Sequence, residues 1–208
     1  MTSETLVVWA LLLPLVGGLG ILLCGRQPNL RETCTLLTAG ALCLIVLTLL
    51  TRVLDGAQPE ITIVEMLPGL SIRFVVEPLG MLFASIAAVL WPINSLYSIG
   101  YMRGNGEDNQ TRFYFFFAVA IFGAMGVAFA GNLVTLFVFY EVLTLSTFPL
   151  VAHKGNETAK NGGRVYLGVL LTTSIGLLLP AIVWTFSATG TTEFTPGGIL
   201  AGAVAGPA

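Results

Sequence analysis

The length, composition and charge of the chain exclude most soluble classes of protein. It has 208 residues, of which 55% are hydrophobic and only 10% are charged, whereas soluble domains carry about 25% charged residues. A soluble globule of this size could not cover its surface with so few charges. The formal net charge of -2 comes without any basic run, so nucleic acid is not an expected partner.

Six apolar stretches, each nearly free of charge, follow one another along the chain. Each is close to the roughly 20 residues that a helix needs to cross a bilayer core. We predict membrane-spanning helices near 6–24, 35–53, 79–102, 113–131, 133–152 and 165–186. The predicted fold class is therefore an all-α membrane protein, a bundle of six transmembrane helices within 1–186, followed by a polar, Gly-rich tail over 187–208.

Two segments outside the spans have patterns of their own. Apolar residues alternate imperfectly over 60–76 around Pro68 and Gly69, which is typical of a short β-hairpin between helices two and three. The chain closes with ILAGAVAGPA, which is too short to span a membrane and resembles the start of another helix. We therefore expect the tail to be truncated or to be continued by another chain.

The basic residues of the loops predict how the helices are oriented. Loops one-two, three-four and five-six together hold seven Lys or Arg, and the opposite side holds two. The seven are Arg26, Arg31, Arg103, Arg112, Lys154, Lys160 and Arg164, and the two are Arg52 and Arg73. Because basic loops stay in the cytoplasm, both termini and the hairpin are predicted to face the non-cytoplasmic side.

One acidic residue lies deep inside a predicted span. Glu141 comes nine residues after Asn132 and twelve before His153, near mid-membrane. An ionised carboxylate at a helix centre costs about 2.5 to 3.5 kcal/mol on insertion scales. Low dielectric favours the neutral form, so such a carboxyl holds protons more firmly and responds to nearby cations. We predict a proton relay at Glu141, and the alternative is a protonated carboxyl that only donates a hydrogen bond between helices.

Other polar residues inside the spans are weaker candidates. Thr144 shares a helical face with Glu141 and could supply a hydroxyl. The residues that could line a polar path toward this carboxyl are Asn94, Thr172, Thr173 and Ser174. Hydrogen bonding between helices is the favoured role for these four, because polar side chains commonly hold membrane helices together.

The end of the fifth span carries two residues that could take up protons. His153 and Lys154 lie at the predicted cytoplasmic boundary, where imidazole titrates near neutrality but anchoring is the simpler role. The three cysteines, Cys24, Cys34 and Cys43, have no C-x-x-C spacing, and the chain has a single histidine. We therefore predict no catalytic residue, no cofactor and no metal site in this chain.

Several stretches, taken together, carry a resemblance to a known family. They are RFVVEPLGMLFASIAAVLWPINSLYSIGYM, FYFFFAVAIFGAMGVAFAGNLVTLFVFYEVLTLSTFPLVAHK, YLGVLLTTS and GTTEFTPGGIL, within about 73–200. The chain resembles the N-terminal part of the antiporter-like subunits shared by respiratory complex I, Mrp cation/proton antiporters and membrane-bound hydrogenases. The stretch FYEVLTLSTFPLVAHK is most similar to the Mrp D-like branch.

This resemblance implies a function and a role for Glu141. It implies a proton-translocating antiporter-like subunit of a multisubunit cation/proton antiporter or a redox-driven proton pump, in a bacterial or archaeal inner membrane. Glu141 then matches the family's fifth-helix glutamate, a gating and proton-relay carboxylate. Two positions differ, since Tyr140 stands where many relatives have Trp and Glu77 where many have Asp. The alternative is a structural or assembly subunit that does not itself conduct.

The resemblance also implies partners, because the family is larger than this chain. Its members have about fourteen helices with two inverted repeats, whereas six are predicted here. The lysine-bearing helices that partner the glutamate would then come from another membrane subunit. The chain is accordingly a split subunit, an incomplete product or a short paralogue. The ion is H+, and the resemblance leaves Na+ or K+ open as the second ion.

Overall fold

The chain folds as a bundle of membrane-spanning helices, as predicted. The computed structural model describes residues 1–67 and 69–201, and within them six helices are long and apolar enough to cross a membrane. The first five are α1 (Ser3–Leu23), α2 (Pro28–Leu54), α3 (Pro78–Gly104), α4 (Gln110–Ala128) and α5 (Leu133–Val151). The sixth span consists of α6 (Glu157–Thr173), a π-helical turn (Ser174–Leu178) and α7 (Leu179–Thr189). The chain is therefore an integral membrane protein.

The two ends of the bundle differ in chemistry. At one end, Arg103 in the last turn of α3 bonds Glu32 near the start of α2, and Arg112 on α4 bonds the carbonyl of His153 after α5. We call this the basic end, since it carries the α1-α2, α3-α4 and α5-α6 connections. The opposite end, with the β-strands and the α4-α5 connection, is called the hairpin end.

Local sequence signals set where the helices begin. Asn132 and Asn156 cap α5 and α6, because each side-chain oxygen accepts a hydrogen bond from a backbone N–H at 2.8 Å. Pro28 and Pro78 are the first residues of α2 and α3. Proline has no N–H, and this costs nothing at the first turn because the N–H groups there have no partner within the helix. The helix α2 thus begins seven residues before the predicted span, and Arg31, predicted to lie in a loop, is helical.

The sixth span changes its winding in the middle. The π-helical turn Ser174–Leu178 lies just before Pro180. Proline has no N–H to donate and its ring displaces the carbonyl four residues earlier, so the ladder of helical bonds must change register there. The other three prolines inside spans, Pro14, Pro92 and Pro149, lie within helices that continue through them.

The core lies mainly between α1, α2, α3 and α4. Close contact between these helices and α5 depends on glycines that leave room for a neighbour. A Cβ atom at Gly17 would overlap Thr38 on α2, and a Cβ atom at Gly126 would overlap the ring of Phe139 on α5. Small residues at such crossings let membrane helices approach closely and gain van der Waals contact.

A two-stranded antiparallel sheet occupies the connection between α2 and α3. Its strands are β1 (Glu60–Leu67) and β2 (Leu70–Val75), with Glu60 paired to Val75 and irregular register after Thr62 and Glu65. Of the predicted turn pair, Gly69 has a positive φ of 82° and Pro68 lies outside the described residues. The irregular register explains why apolar and polar residues alternate imperfectly in the sequence. An extra residue on one strand moves the side chains that follow it to the opposite face of the sheet.

The free edge of β2 is covered by other parts of the hairpin end. Val75 donates to the carbonyl of Phe129 at 2.8 Å, and Gly131 donates to the carbonyl of Arg73 at 2.9 Å. The segment after α7 also packs at the hairpin end, because the backbone N–H of Leu133 donates to the carbonyl of Thr192 at 3.0 Å. The predicted polar tail is therefore held at this end as far as Phe194, which donates to the carbonyl of Gly131 at 3.2 Å. Most of the expected apolar start of a helix, 202–208, lies outside the described residues.

Replacing Gly126 with Ala should destabilise the bundle. The added methyl would meet the Phe139 ring, and overpacking of this kind costs about 1 to 3 kcal/mol. The free energy of unfolding in detergent, followed by circular dichroism, measures this cost. Gly100→Ala is the matched control, since nothing lies within 4 Å of its added carbon. Equal stability of the two variants would contradict the assigned α4-α5 contact.

Candidate functional site

The packing of α5 determines which way Glu141 faces. Phe139 lies against Gly126, and the backbone of Leu143 lies against Gly123, so both positions face α4. Two residues along a helix correspond to a rotation of about 200°. Glu141, two residues from each, therefore lies on the side of α5 that is turned away from α4.

The same face of α5 meets α6. Phe148 and Ala152 lie against Gly163. Glu141 is seven residues before Phe148 on the same helical stripe. Because consecutive helices run in opposite directions, seven residues onward from Gly163 brings the chain to Leu170, at the level of Glu141. The carboxyl and the start of the π-helical turn are thus at similar depth.

The carboxyl of Glu141 makes few polar contacts. Its Oε1 atom is buried and has no hydrogen-bond partner among the described residues. None of the ion pairs within 1–67 and 69–201 includes it. Thr144 is buried one turn further on, and its carbonyl accepts a bond from the hydroxyl of Thr147 at 2.8 Å. A carboxyl with an unbonded oxygen is free to bind a proton or a new hydrogen-bond partner.

The predicted path residues occupy different surroundings. Ser174 is buried, and its hydroxyl donates to the carbonyl of Leu170 at 3.0 Å. Thr172 and Thr173 lie on an exposed face of α6, and Asn94 lies on an exposed face of α3. Of the four, only Ser174 is buried, and it lies about one helical turn beyond the level of Glu141. The role of all four in a polar path stays a prediction.

His153 lies in a polar crevice at the basic end. The crevice has a volume of about 340 Å³ and is formed by the α3-α4 and α5-α6 connections. Arg112 donates to the His153 carbonyl at 2.9 Å, and the imidazole meets the ring of Phe113 edge-on with 5.5 Å between centroids. Neither ring nitrogen has a hydrogen-bond partner within the described part of the chain. Lys154 also lines the crevice but is exposed.

The crevice favours the neutral form of the imidazole. Burial lowers the pKa of His153 below its ordinary value of 6.5, and the positive charge of Arg112 lowers it further. The carboxylate of Glu107 acts in the opposite direction. The imidazole is therefore neutral near pH 7, with one ring nitrogen carrying a hydrogen and the other able to accept a proton.

A polar network at the hairpin end fixes the start of α5. Asn132 is fully buried, and its amide donates to the carbonyl of Ser71 at 2.9 Å and to Glu193 at 3.0 Å. Glu193 in turn pairs with Arg73 at 2.8 Å. The sequence alone does not predict this network. An Asn directly before an apolar run was the available signal, since it predicts a helix cap.

A second network, at the basic end, was also missed. Glu32 lies between two guanidinium groups, those of Arg31 and Arg103. The side chains of Arg31 and Glu32 are only 5% and 7% exposed. Adjacent opposite charges near a predicted loop are typical of a solvated surface, so the sequence carried no signal of burial. The early start of α2 turns these residues inward.

The fold and the site define the chain as a multi-helix membrane subunit with a carboxyl inside the bundle. The sequence profile described as NADH:quinone oxidoreductase/Mrp antiporter, TM, matches residues 130–199. NADH-quinone oxidoreductase subunit N of Myxococcus xanthus is 31% identical over 168 residues, which cover 78% of this chain and 30% of that relative. F(420)H(2) dehydrogenase subunit N of Methanosarcina mazei is 30% identical, covering 84% of this chain and 34% of that relative.

A solved structure has the same fold. A chain of the Mrp complex from Dietzia sp. DQ12-45-1b superposes with a TM-score of 0.76 at 21% identity, covering 93% of this chain and 36% of that chain. The protein is thus a relative of the antiporter-like membrane subunits of NADH:quinone oxidoreductases and Mrp antiporters. It spans about a third of the length of these relatives. Since they come from more than one branch, the resemblance to the Mrp D-like branch stays a prediction.

Replacing Asn132 with Ala should loosen the start of α5. The change removes a helix cap and leaves polar groups of Ser71 and Glu193 short of a donor, so the free energy of unfolding should fall by about 1 to 3 kcal/mol. Asn156→Ala removes only an exposed cap and should cost about 1 kcal/mol or less. A smaller loss for Asn132→Ala than for this control would contradict the network.

The pKa of His153 can be measured directly, because the chain has one histidine. In an NMR titration the pKa of His153 should fall below 6.5. Arg112→Gln removes a positive charge and should raise this pKa, whereas Glu107→Gln removes a negative charge and should lower it further. Since the folded chain then binds this proton less readily than the unfolded chain, stability should decrease as the pH falls below 6.5. A pKa above 6.5 would show that the imidazole is not in the described surroundings.

Proposed function

We propose that the protein is a proton-translocating antiporter-like subunit, with Glu141 as its intramembrane proton relay. The observation that supports this most directly is the buried, unbonded Oε1 atom of Glu141 among the described residues. A buried polar atom without a partner is costly, so its presence in a membrane helix calls for a functional reason. The homology to antiporter-like membrane subunits supports the same role.

The relay follows from the two protonation states of the carboxyl. A carboxyl can exchange between the neutral acid and the carboxylate, and an approaching cation favours the carboxylate. A change in charge near Glu141 can therefore release or recapture its proton. Four hydroxyl groups are at a suitable depth to pass protons to or from Glu141, those of Thr144, Thr172, Thr173 and Ser174. Asn94 would extend this polar path from α3 if a partner subunit covers its exposed face.

Protons would reach the relay from the basic end. His153 has two free ring nitrogens in a polar crevice, and Lys154 at its rim would tune the local charge. The imidazole lies twelve residues from Glu141, which is about 18 Å along a helix. That distance is too long for a direct transfer, so hydroxyl groups or water must bridge it. The second ion, Na+ or K+, stays open.

The function requires other membrane subunits. In the most apolar 18-residue stretch of the sixth span, 11% of the residues are buried, compared with 44% in the corresponding stretch of α1. The side of the bundle formed by α6 and α7 is therefore the surface on which further helices would pack. We propose that these helices carry the lysine side chains that bias the charge of Glu141, within a cation/proton antiporter or a redox-driven pump in a bacterial or archaeal inner membrane.

The test replaces the carboxyl while keeping its shape. Glu141→Gln can still hydrogen-bond but cannot exchange a proton, so proton transport by the reconstituted complex should fall by about 100-fold or more. Glu141→Asp keeps the acid and should retain part of the activity. Glu65→Gln, an exposed carboxyl on β1, is the matched control and should transport at the normal rate.

Either result of this experiment separates the proposal from its alternative. Native mass spectrometry of each variant first establishes that the complex has assembled. An assembled Glu141→Gln complex that transports protons at the normal rate would leave a structural or assembly role, in which the side chain only donates a hydrogen bond.

A further inference from the structure

Within the described part of the chain, seven buried side-chain atoms besides Glu141 Oε1 have no hydrogen-bond partner. Three of them, Arg112 Nε and the two His153 ring nitrogens, belong to the crevice at the basic end, and the other four lie on α2, α3 and α4. These four are Trp91 Nε1, Ser95 Oγ, Tyr114 Oη and Arg31 Nε. Their residues are 1%, 2%, 2% and 4% exposed. Buried polar groups in proteins are almost always bonded to protein or to ordered water. Four exceptions in one region therefore call for a common explanation.

The residues that carry the four groups follow one another across α3, α4 and α2. Trp91, Ser95 and Ser98 follow each other at helical spacing on the buried face of α3. Tyr114 on α4 lies beside Ser98, and the two hydroxyls are close but not in hydrogen-bond geometry. The guanidinium carbon of Arg31 on α2 is 5.3 Å from the centre of the Tyr114 ring. We call this series of residues the α2-α3-α4 seam. Trp91 is at the midpoint of α3, so the seam extends from mid-membrane to the basic end.

The seam opens at the basic end through a charged group. Glu32 bonds Arg31 at 3.2 Å and Arg103 at 2.9 Å. The side chain of Arg103 is 45% exposed, whereas those of Arg31 and Glu32 are enclosed. This ion-paired group thus connects the surface with the buried hydroxyl of Tyr114. From Arg103 to Trp91 is twelve residues of α3, about 18 Å.

The chemistry of the four groups selects the ligand. The indole N–H and the guanidinium Nε–H can only donate, and the two hydroxyls both donate and accept. A ligand that satisfies all of them must be small, must accept from the two N–H groups and must also donate. Water has these properties, and buried waters characteristically bridge polar groups that the protein leaves unbonded.

We propose that a file of water molecules occupies the α2-α3-α4 seam and gives the basic end of the bundle an aqueous route to mid-membrane. Arg31, Tyr114, Ser95 and Trp91 hold this water in that order from the surface inward. The route lies in α2, α3 and α4 and does not include Glu141. It stands independently of the proton-relay function, since it rests on different residues and helices.

The seam also differs from the path predicted through Asn94. That residue precedes Ser95 in the sequence, but it lies on the exposed side of α3. The neighbouring Ser95 faces the seam. A one-residue step on a helix changes the direction of a side chain by about 100°, so Ser95 and Asn94 face different surroundings. Trp91, at the inner end of the seam, also lines the groove between α3 and α4 that Asn94 borders.

The test follows the indole proton of Trp91 in the full-length chain. The protein is labelled with ¹⁵N-tryptophan and placed in lipid nanodiscs, and Trp91→Phe assigns its signal among the three tryptophans. After transfer to D₂O, we expect the Trp91 indole signal to be lost by the first spectrum and to show a water exchange peak in H₂O. A Trp91 signal that survives for hours while Trp9 exchanges would overturn the proposal.

A pair of variants tests whether the water comes through the seam. Ser95→Ala combined with Tyr114→Phe removes two of the groups that hold the water and should slow the loss of the Trp91 signal. Ser85→Ala is the matched control on the same helix, because the Ser85 hydroxyl already donates to the Met81 carbonyl at 2.7 Å. The Trp9 and Trp184 signals report whether the variants fold. Unchanged Trp91 exchange in a folded double variant would overturn the proposed route.

Discussion

A bilayer core offers no hydrogen-bond partner, so every polar group in this chain must find one within the protein or reach an end of the bundle. The two polar networks follow from this constraint. At the hairpin end, Asn132, Glu193 and Arg73 join α5, β2 and the segment after α7. At the basic end, Glu32 joins α2 to α3. Between these ends the helices are held by apolar contact and by glycine crossings.

The helix α5 is fixed at both ends and carries its unbonded carboxyl between them. Asn132 caps its start, and Arg112 bonds the His153 carbonyl just beyond its last turn. Gly126 and Gly123 bring α4 against one face, which leaves Glu141 on the other. A helix fixed at both ends therefore holds an acid with one unbonded oxygen at mid-depth, and the described residues supply no hydrogen-bond partner for that oxygen. The α2-α3-α4 seam is a second polar feature, formed by other helices and with its own access from the basic end.

The sequence predicted the elements well because their causes are local. Six apolar windows predicted six spans, and the structure has six helices long enough to cross a membrane within the described residues. A lone acid in one of these windows selected Glu141, whose role as a relay stays a prediction. The predictions were weaker where a side chain's direction mattered. Arg31 was assigned to a loop but is helical and buried, and the sequence did not distinguish the exposed Asn94 from its buried neighbour Ser95. Which residues of a membrane helix are buried depends on how the helix is rotated about its axis relative to its neighbours. A helix that is apolar on every face does not reveal this rotation in its sequence.

By itself, therefore, the sequence determined that this is a six-helix membrane protein with an acid at mid-membrane, since hydropathy and the cost of a buried charge are properties of single segments. Only the tertiary structure decided that Asn132 ties three separate segments together, that Glu141 turns away from α4, and that Trp91, Ser95 and Tyr114 belong to one buried seam. These facts depend on contacts between residues far apart in the chain, and the helix rotations that create them are set by packing.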